Sequence, residues 1–184
     1  LKDSLPKEVG GGVMWLAMGS PRNAPYLPYY GNITDTYKAY QDKSTEYSPD
    51  SWYWVISHIN DMVAQYPDEF ETEVIDEVKA LEAEWMTQQE ALDKEMISLV
   101  ASDPEKASEL ATQESMKRAE ETFARLKEIE GSMEERVAAL PTDSETSDTS
   151  AGSTNSYLLL GLGVVAALGI AGLAIFYKKS KAES

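Results

Sequence analysis

The sequence predicts an α+β chain that is mostly helical, with one short strand-containing region, an αα-hairpin and one transmembrane helix. Three observations support this prediction. A short apolar run, VMWLAMG at 13–19, follows three glycines and precedes several prolines. Two long segments between residues 68 and 140 repeat apolar residues at steps of mostly three or four, the period of a helix. A further segment, 157–177, contains 21 residues and no charge.

The composition limits the classes of function. The chain has 184 residues, with 16 Lys and Arg against 32 Asp and Glu, and a net charge of −16. This balance argues against nucleic acid as a partner, because phosphate binding needs clustered Lys and Arg. The 42% apolar content is close to that of a globular chain. The absence of cysteine excludes a disulfide scaffold, a cysteine metal site and a thiol nucleophile within this sequence.

Residues 10–47 predict a strand followed by an irregular loop. The run VMWLAMG is short and flanked by glycine, which favours a buried strand over a helix. Pro21, Pro25 and Pro28 then exclude a long regular element, so that YLPYY could form at most an edge strand. One strand and one loop do not make a sheet. We therefore expect the neighbouring strands of this sheet to come from elsewhere.

The first predicted helix covers 49–66. Ser48 is the expected N-cap, and Pro49 takes the first helical position, where its missing N–H costs nothing. Pro67 ends the helix. The apolar residues recur at helical spacing, which predicts one buried face, made of Trp52, Val55, Ile56, Ile59 and Val63.

Two longer helices are predicted over 68–100 and 104–140. The first carries an apolar stripe of about four heptads, with one step of seven. The second starts at Ser102-Asp103-Pro104-Glu105, where Ser102 and Glu105 have the spacing of a capping box. Because only this joint separates two amphipathic helices, the sequence predicts an αα-hairpin.

The C-terminal residues predict a stalk and a membrane anchor. Residues 141–156 are almost wholly Ser, Thr, Asp and Gly, which is typical of a flexible stalk. The segment 157–177 is long enough to cross a hydrocarbon core of about 30 Å, and a buried core helix is the weaker alternative. Three lysines lie in 178–184, so we expect this tail in the cytoplasm and the bulk of the protein outside.

The stretch GGVMWLAMGSPRNAPYLPYYGNITDTYKAY, followed by YSPDSWYWVISHIND, resembles the C-terminal part of the dipeptidase A and secernin-like family of thiol hydrolases. The resemblance runs over 11–61, is specific at Trp-Leu-Ala-x-Gly-x-Pro-Arg-Asn, and continues loosely to residue 140. It implies that 1–140 is the C-terminal part of an αββα N-terminal-nucleophile hydrolase domain. It also implies a distal fragment of a longer enzyme that cleaves dipeptides without a metal or cofactor.

The mechanism implied by the resemblance is nucleophilic. A cysteine thiolate at the mature N-terminus attacks the peptide carbonyl, with the α-amino group as general base, and water resolves the acyl-enzyme. Because this sequence contains no cysteine, it holds no catalytic nucleophile. We therefore expect the nucleophile upstream of this fragment, and no activity from the fragment alone.

Two adjacent residues are the candidates for substrate binding. Arg22 follows the predicted strand and could hold a substrate carboxylate through two hydrogen bonds. The amide of Asn23 could donate to an oxyanion. The alternative is that both side chains satisfy backbone groups in a proline-containing turn.

The remaining polar candidates favour structural roles. His58 is the single histidine and lies beside an apolar helix face, so we expect it to be structural or solvated. The acidic pairs Glu82/Glu84 and Glu134/Glu135 predict solvated helix faces, since no calcium-binding loop accompanies them. No metal site is predicted.

Two functions remain open at this point. The first is the C-terminal portion of a dipeptidase anchored on a Gram-positive-type cell surface, with dipeptides as substrates and the lipid bilayer contacted through 157–177. The second is a non-catalytic, membrane-anchored helical module that binds another protein. The strand and Pro/Tyr loop of 10–47 favour the enzyme, because a helical spacer needs neither. Gly163 and Ala167 form a small-xxx-small pair, a hint of a homo-oligomer.

Overall fold

The computed structural model describes residues 6–7 and 12–140. Along the chain the regular elements include β1 (Val13–Ala17), β2 (Tyr26–Tyr30), a 3₁₀ turn (Lys38–Tyr40), α1 (Trp52–Gln65), α2 (Pro67–Ser102) and α3 (Pro104–Ala139). The two long helices contribute 36 residues each. The described part of the chain is therefore mostly helical, with a small sheet near its beginning.

The sheet is an antiparallel hairpin of β1 and β2, in which Trp15 lies opposite Pro28. Pro28 lacks a backbone N–H, a loss that an edge strand tolerates. The last four residues of β2 are buried, whereas Met14 and Leu16 on β1 are 60% and 38% exposed. β1 is thus paired within this chain, by the YLPYY segment, and β2 lies closer to the core.

α1 begins at Trp52, three residues after the start expected from Pro49. Ser51 is the N-cap: its side chain accepts a hydrogen bond from the backbone N–H of Trp54 at 3.5 Å. Ser48 instead closes a turn, because its carbonyl accepts the N–H of Ser51 at 3.1 Å. Two serines three residues apart could each cap a helix, and the second one does so here.

α2 and α3 form an antiparallel hairpin around Asp103. Asp103, rather than Ser102, caps α3, since its carboxylate accepts the backbone N–H of Lys106 at 3.2 Å. The Ser102 hydroxyl donates back to the carbonyl of Ser98 inside α2. Gly131 does not interrupt α3, which continues to Ala139. The predicted αα-hairpin architecture thus describes the two helices, with the cap displaced by one residue.

The main core cluster draws its buried side chains from α1, from both helices of the hairpin and from β2. Trp52 stacks on Phe123 with ring centroids 5.5 Å apart and 17° between planes, and Tyr40 meets Trp52 edge-on at 4.8 Å. A second cluster, around Tyr30 and Met96, lies toward the α2–α3 joint. Burial of these aromatic surfaces supplies the main stabilisation of the fold.

The predicted fold class was wrong. It combined part of a four-layer αββα fold with a transmembrane helix, whereas the described residues form three α-helices, two of them long, and one two-stranded hairpin. The sheet stays small because the prolines after β1 and the continuous helical periodicity beyond residue 50 leave no further strand in the described sequence.

The predicted membrane helix is not supported either. Among the described residues, no helix is both long enough and apolar enough to cross a membrane. α1 has only 14 residues, and α2 and α3 have polar outer faces rich in Glu, Lys and Gln. The segments assigned to the stalk (141–156), the anchor (157–177) and the tail (178–184) lie outside the described residues. The localisation that depended on them stays a prediction.

Candidate functional site

The loop between β1 and β2 carries both predicted substrate-binding residues. Arg22 points outward: its side chain is 62% exposed, and it pairs with Glu71 Oε1 of α2 at 2.7 Å. Asn23 is only 7% exposed, and its Nδ2 donates to Asn60 Oδ1 of α1 at 2.8 Å. The backbone N–H of Asn23 bonds the carbonyl of Ser20, as in a turn. The loop therefore keeps a cation at the surface and an amide inside.

The amide of Asn23 is not fully satisfied. Its Oδ1 is buried and accepts no hydrogen bond within the described residues. A buried acceptor without a donor is costly in a native structure, so this atom marks a position where a further donor is favoured. The backbone-satisfying role considered for Asn23 is therefore not the one observed, since its side chain bonds another side chain.

Gly19 lets the same loop lie directly on α1. Its φ is +122°, in a region that disfavours side chains, and a Cβ there would lie 2.4 Å from Ile56 Cγ2. The carbonyl of the preceding residue, Met18, accepts a hydrogen bond from Trp52 Nε1 at 3.0 Å. The loop that carries Arg22 is thus held on α1 by a close backbone contact and an indole bond.

A cavity of about 370 Å³ opens between this loop and the first turns of α1. Its lining includes Gly19 and Ser20 from the loop, Asp42 from the segment before α1, and residues of α1 itself, among them Ser57 and Asn60. Asn60 joins the cavity to the buried Asn23 amide. The exposed surface of the lining is mostly apolar, and small-molecule pockets of about 300–1,000 Å³ are typically lined in this way.

The residues that line the cavity include one carboxylate, Asp42, which is exposed to solvent. Hydrogen bonds from the side chain and backbone of Ser44 hold the pKa of Asp42 below its usual value, so this carboxylate is ionised at neutral pH. Within the described part of the chain, the residues that line the cavity include no Lys, Arg or His. The described lining therefore carries one negative charge, at the surface, and no positive charge.

A second polar cluster joins α1 to α3. His58 Nδ1 lies 2.9 Å from Glu130 Oε1 and 3.6 Å from Glu134 Oε1. The hydroxyl of Tyr47 donates to the same Glu130 oxygen at 3.0 Å. The bond to Glu130 raises the pKa of His58, and burial raises the pKa of Tyr47 and of Glu134. His58 is thus structural, as the sequence indicated, whereas Glu134 is more than part of a solvated face.

A third cluster is buried between β2, α2 and α3, and the sequence did not indicate it. Tyr30 donates to Asp93 Oδ1 at 2.6 Å, and Gln89 Nε2 bonds both of these residues at 2.8–2.9 Å. Arg118, 3% exposed, donates to Gln89 Oε1 at 2.7 Å and lies over the ring of Trp85. The sequence held one indication of this cluster. The apolar stripe of α2 contains a step of seven residues, and Gln89 takes the core position inside that step.

These clusters do not form a metal site or a complete catalytic site. In the part of the chain that the structure describes, no three His, Asp or Glu side chains are placed to hold a metal ion. Glu82 of the predicted acidic pairs instead accepts the backbone N–H of Tyr26 at the start of β2. The chain has no cysteine, so the nucleophile that the resemblance implies is not among its residues.

Comparison with known proteins agrees with the resemblance. The sequence model of peptidase family C69 matches residues 1–80, which include the Arg22 loop and α1. A probable dipeptidase B of Streptococcus pyogenes serotype M6 is 59% identical over 133 residues, 72% of this chain and 27% of that protein. The serotype M18 protein of the same name is 58% identical over 135 residues, 73% of this chain and 27% of its own length.

A more distant relative extends the comparison. A probable dipeptidase of Latilactobacillus sakei is 30% identical over 85 residues, 46% of this chain and 18% of that protein. The chain spans about a quarter of the length of the streptococcal relatives it matches. The family resemblance predicted from the Trp-Leu-Ala-x-Gly-x-Pro-Arg-Asn stretch is confirmed: residues 1–80 match peptidase family C69, and the relatives that align with this chain are named probable dipeptidases.

Proposed function

We propose that this chain is part of a dipeptidase, an enzyme that hydrolyses the peptide bond of dipeptides. The observation that carries the proposal is the identity of 58–59% to proteins named probable dipeptidase B. The family match over residues 1–80 supports a peptidase of this class. The chain covers 27% of those relatives, so the proposed activity also draws on regions of the enzyme that these 184 residues do not cover.

The loop between β1 and β2 is the proposed substrate-binding element of this chain. Arg22 is exposed and lies in the family-matched region, and its pairing with Glu71 is a surface contact that a substrate carboxylate can replace. Asn23 is held by Asn60 and has one acceptor unused among the described residues. Arg22 would bind the carboxylate of the dipeptide, and Asn23 would keep the loop in place on α1.

The proposed nucleophile is a cysteine thiol supplied by sequence that this chain lacks. A thiolate would attack the dipeptide carbonyl to form a thioester, with release of the C-terminal amino acid, and water would then release the N-terminal one. Since none of the 184 residues is cysteine, the chain alone would not catalyse the first step.

A chimeric enzyme tests the proposal. The 133 aligned residues of the serotype M6 relative are replaced by those of this chain, and hydrolysis of a dipeptide panel is measured beside the unaltered relative and the 184-residue chain. We expect the chimera and the relative to hydrolyse overlapping sets of dipeptides and the chain alone to hydrolyse none. A folded chimera that hydrolyses no dipeptide while the relative does would refute the role of this chain. Hydrolysis by the chain alone would refute the external thiol.

A further inference from the structure

The guanidinium of Arg22 already has a carboxylate partner within this chain. Its Nη2 lies 2.7 Å from Oε1 of Glu71, near the start of α2. Glu71 therefore neutralises the positive charge that a substrate carboxylate would use. A second carboxylate on the same guanidinium would also lie close to the like charge of Glu71, which is unfavourable. Glu71 and a substrate carboxylate are thus alternative partners of Arg22.

The pair of Arg22 and Glu71 is of a kind that another carboxylate can displace. The Arg22 side chain is 62% exposed and that of Glu71 is 38% exposed. Exposed ion pairs contribute little to stability, because water solvates both charges when the pair separates. Displacement of Glu71 therefore has a small but finite cost, which would be subtracted from the affinity for the incoming carboxylate.

The loop does not depend on Glu71 for its position. Asn23 donates to Asn60 Oδ1 of α1 at 2.8 Å. Farther along the loop, the backbone N–H of Tyr26 donates to Glu82 Oε1 of α2 at 3.0 Å. Because these bonds hold the loop on both helices, loss of the Glu71 carboxylate would release the guanidinium and leave the backbone in place.

We propose that Glu71 competes with the substrate carboxylate for Arg22, so that the pair of these two residues is an autoinhibitory contact that substrate binding breaks. The inference rests on the proposed function and adds to it a residue that sets the affinity for the substrate. Competition of this kind weakens the binding of the substrate and of the transition state equally, so it raises KM and leaves kcat unchanged. If Glu71 instead oriented Arg22 for the substrate, its loss would raise KM.

The first experiment measures steady-state hydrolysis of alanyl-alanine by the chimeric enzyme. The variants are Glu71→Gln, Arg22→Ala and the two combined, and a thermal melt checks that each is folded. The matched control is Asp68→Asn, which removes one exposed carboxylate from the first turn of the same helix. It reports any effect of net charge or of the helix dipole on the substrate.

We expect Glu71→Gln to lower KM about two- to fivefold, the range of an exposed ion pair, with kcat unchanged. Asp68→Asn should leave both constants unchanged. In the Arg22→Ala background Glu71→Gln should have no effect on KM, because the two carboxylates then have no guanidinium to compete for.

A second experiment measures the competition without catalysis, on the 184-residue chain. The side-chain Nε–H resonance of Arg22 is followed in the isotope-labelled chain during titration with sodium acetate at constant ionic strength. We expect acetate to shift this resonance at lower concentration in Glu71→Gln than in the unaltered chain. The resonance of Arg125, which pairs with Glu77, is the internal control and should respond equally in both.

The two experiments separate this inference from the proposed function. In an active chimera, an unchanged or raised KM in Glu71→Gln would overturn the competition and leave the dipeptidase function intact. A fall in KM that also occurs in Asp68→Asn, or that persists without Arg22, would overturn it as well. An inactive chimera would refute the proposed function, and the acetate titration then tests the competition by itself. An equal response of Arg22 to acetate with and without the Glu71 carboxylate would overturn the inference.

Discussion

His58 on α1 and Glu130 on α3 are joined across the core, with 2.9 Å between Nδ1 and Oε1. Glu130 is 4% exposed, and a buried carboxylate needs a charged or hydrogen-bonding partner. His58 and the Tyr47 hydroxyl meet this need together. Because Tyr47 precedes α1, these two hydrogen bonds connect the segment before α1 to α1 and α3.

This contact predicts a pH dependence of stability. The folded-state pKa of His58 is raised above the 6.5 of a free histidine, chiefly by the bond to Glu130, with Glu134 and Asp61 adding to the shift. The protonated ring therefore stabilises the fold: its contribution is complete below pH 6.5 and is lost as the pH rises through the folded-state pKa. We expect His58→Gln to lower the free energy of unfolding more at about pH 6 than at about pH 9. Denaturant titrations at both pH values measure this, and an equal loss at both would show that His58 is neutral in the fold.

Gly19 and Gly131 form a matched pair for backbone effects. Gly19→Ala would place a Cβ 2.4 Å from Ile56 at a φ of +122°, so we expect a loss of about 1–3 kcal/mol in the free energy of unfolding. Gly131 lies inside α3, and no described atom outside the local helix backbone lies within 4 Å of where an added Cβ would stand. Gly131→Ala should therefore gain about 0.5–1 kcal/mol. Thermal or urea unfolding gives both values, and a tolerated Gly19→Ala would mean that the loop does not lie on α1 as described.

The buried polar cluster predicts a large loss on removal of one amide. Gln89→Leu takes away the acceptor of the Arg118 guanidinium, whose Nε is already without a partner among the described residues. A buried charged donor left unpaired should cost about 1–3 kcal/mol or more. Lys94→Ala, which removes an exposed i,i+4 pair with Glu90, should change stability by less than about 0.5 kcal/mol. Similar effects of the two substitutions would contradict the network.

The proposed carboxylate role of Arg22 predicts a kinetic effect in the chimeric enzyme. Arg22→Ala should lower kcat/KM about ten- to a hundredfold, the effect of losing a charge-assisted hydrogen bond. Its melting temperature should hardly change, because the pair with Glu71 is exposed. Lysine should restore only part of the activity, since it lacks the planar fork of arginine.

Arg125→Ala is the control for Arg22, because Arg125 is also an exposed arginine paired with a helix glutamate, Glu77, at 2.8 Å. We expect the activity of the control to be unchanged. A melt lowered by many degrees in Arg22→Ala, with kcat/KM intact at low temperature, would make Arg22 a structural residue.

The long helices could be predicted from the sequence because their determinants are local. Apolar residues at steps of three and four define one face of α2 and α3, and the prolines at 67 and 104 mark where each helix starts. The start of α1 was displaced because Ser48 and Ser51 are both good caps. Local sequence does not decide between them, whereas the packing of Trp52 on Phe123 favours a helix that begins at Trp52.

The contacts of the candidate site were less predictable because they join distant residues. Asn23 and Asn60 are 37 positions apart, and His58 and Glu130 are 72 apart. No periodic pattern relates such residues until the helices have packed. Asp42 has no signal of its own in the sequence, since it belongs to the cavity only through the way the segment before α1 folds back on that helix.

The antiparallel α2–α3 hairpin also has a consequence for the order of folding. The sequence separation between residues that are hydrogen-bonded across the two helices increases with distance from the joint. It is 29 positions for Gln89–Arg118, 37 for Trp85–Thr122 and 48 for Glu77–Arg125. Each further contact therefore encloses only a few more residues than the contact before it, so the entropic cost of loop closure is divided into small steps. The contacts between α2 and α3 can therefore form one after another, starting next to Asp103. The contact of β2 with α2 should form later, because Tyr30 and Asp93 are 63 positions apart in the sequence.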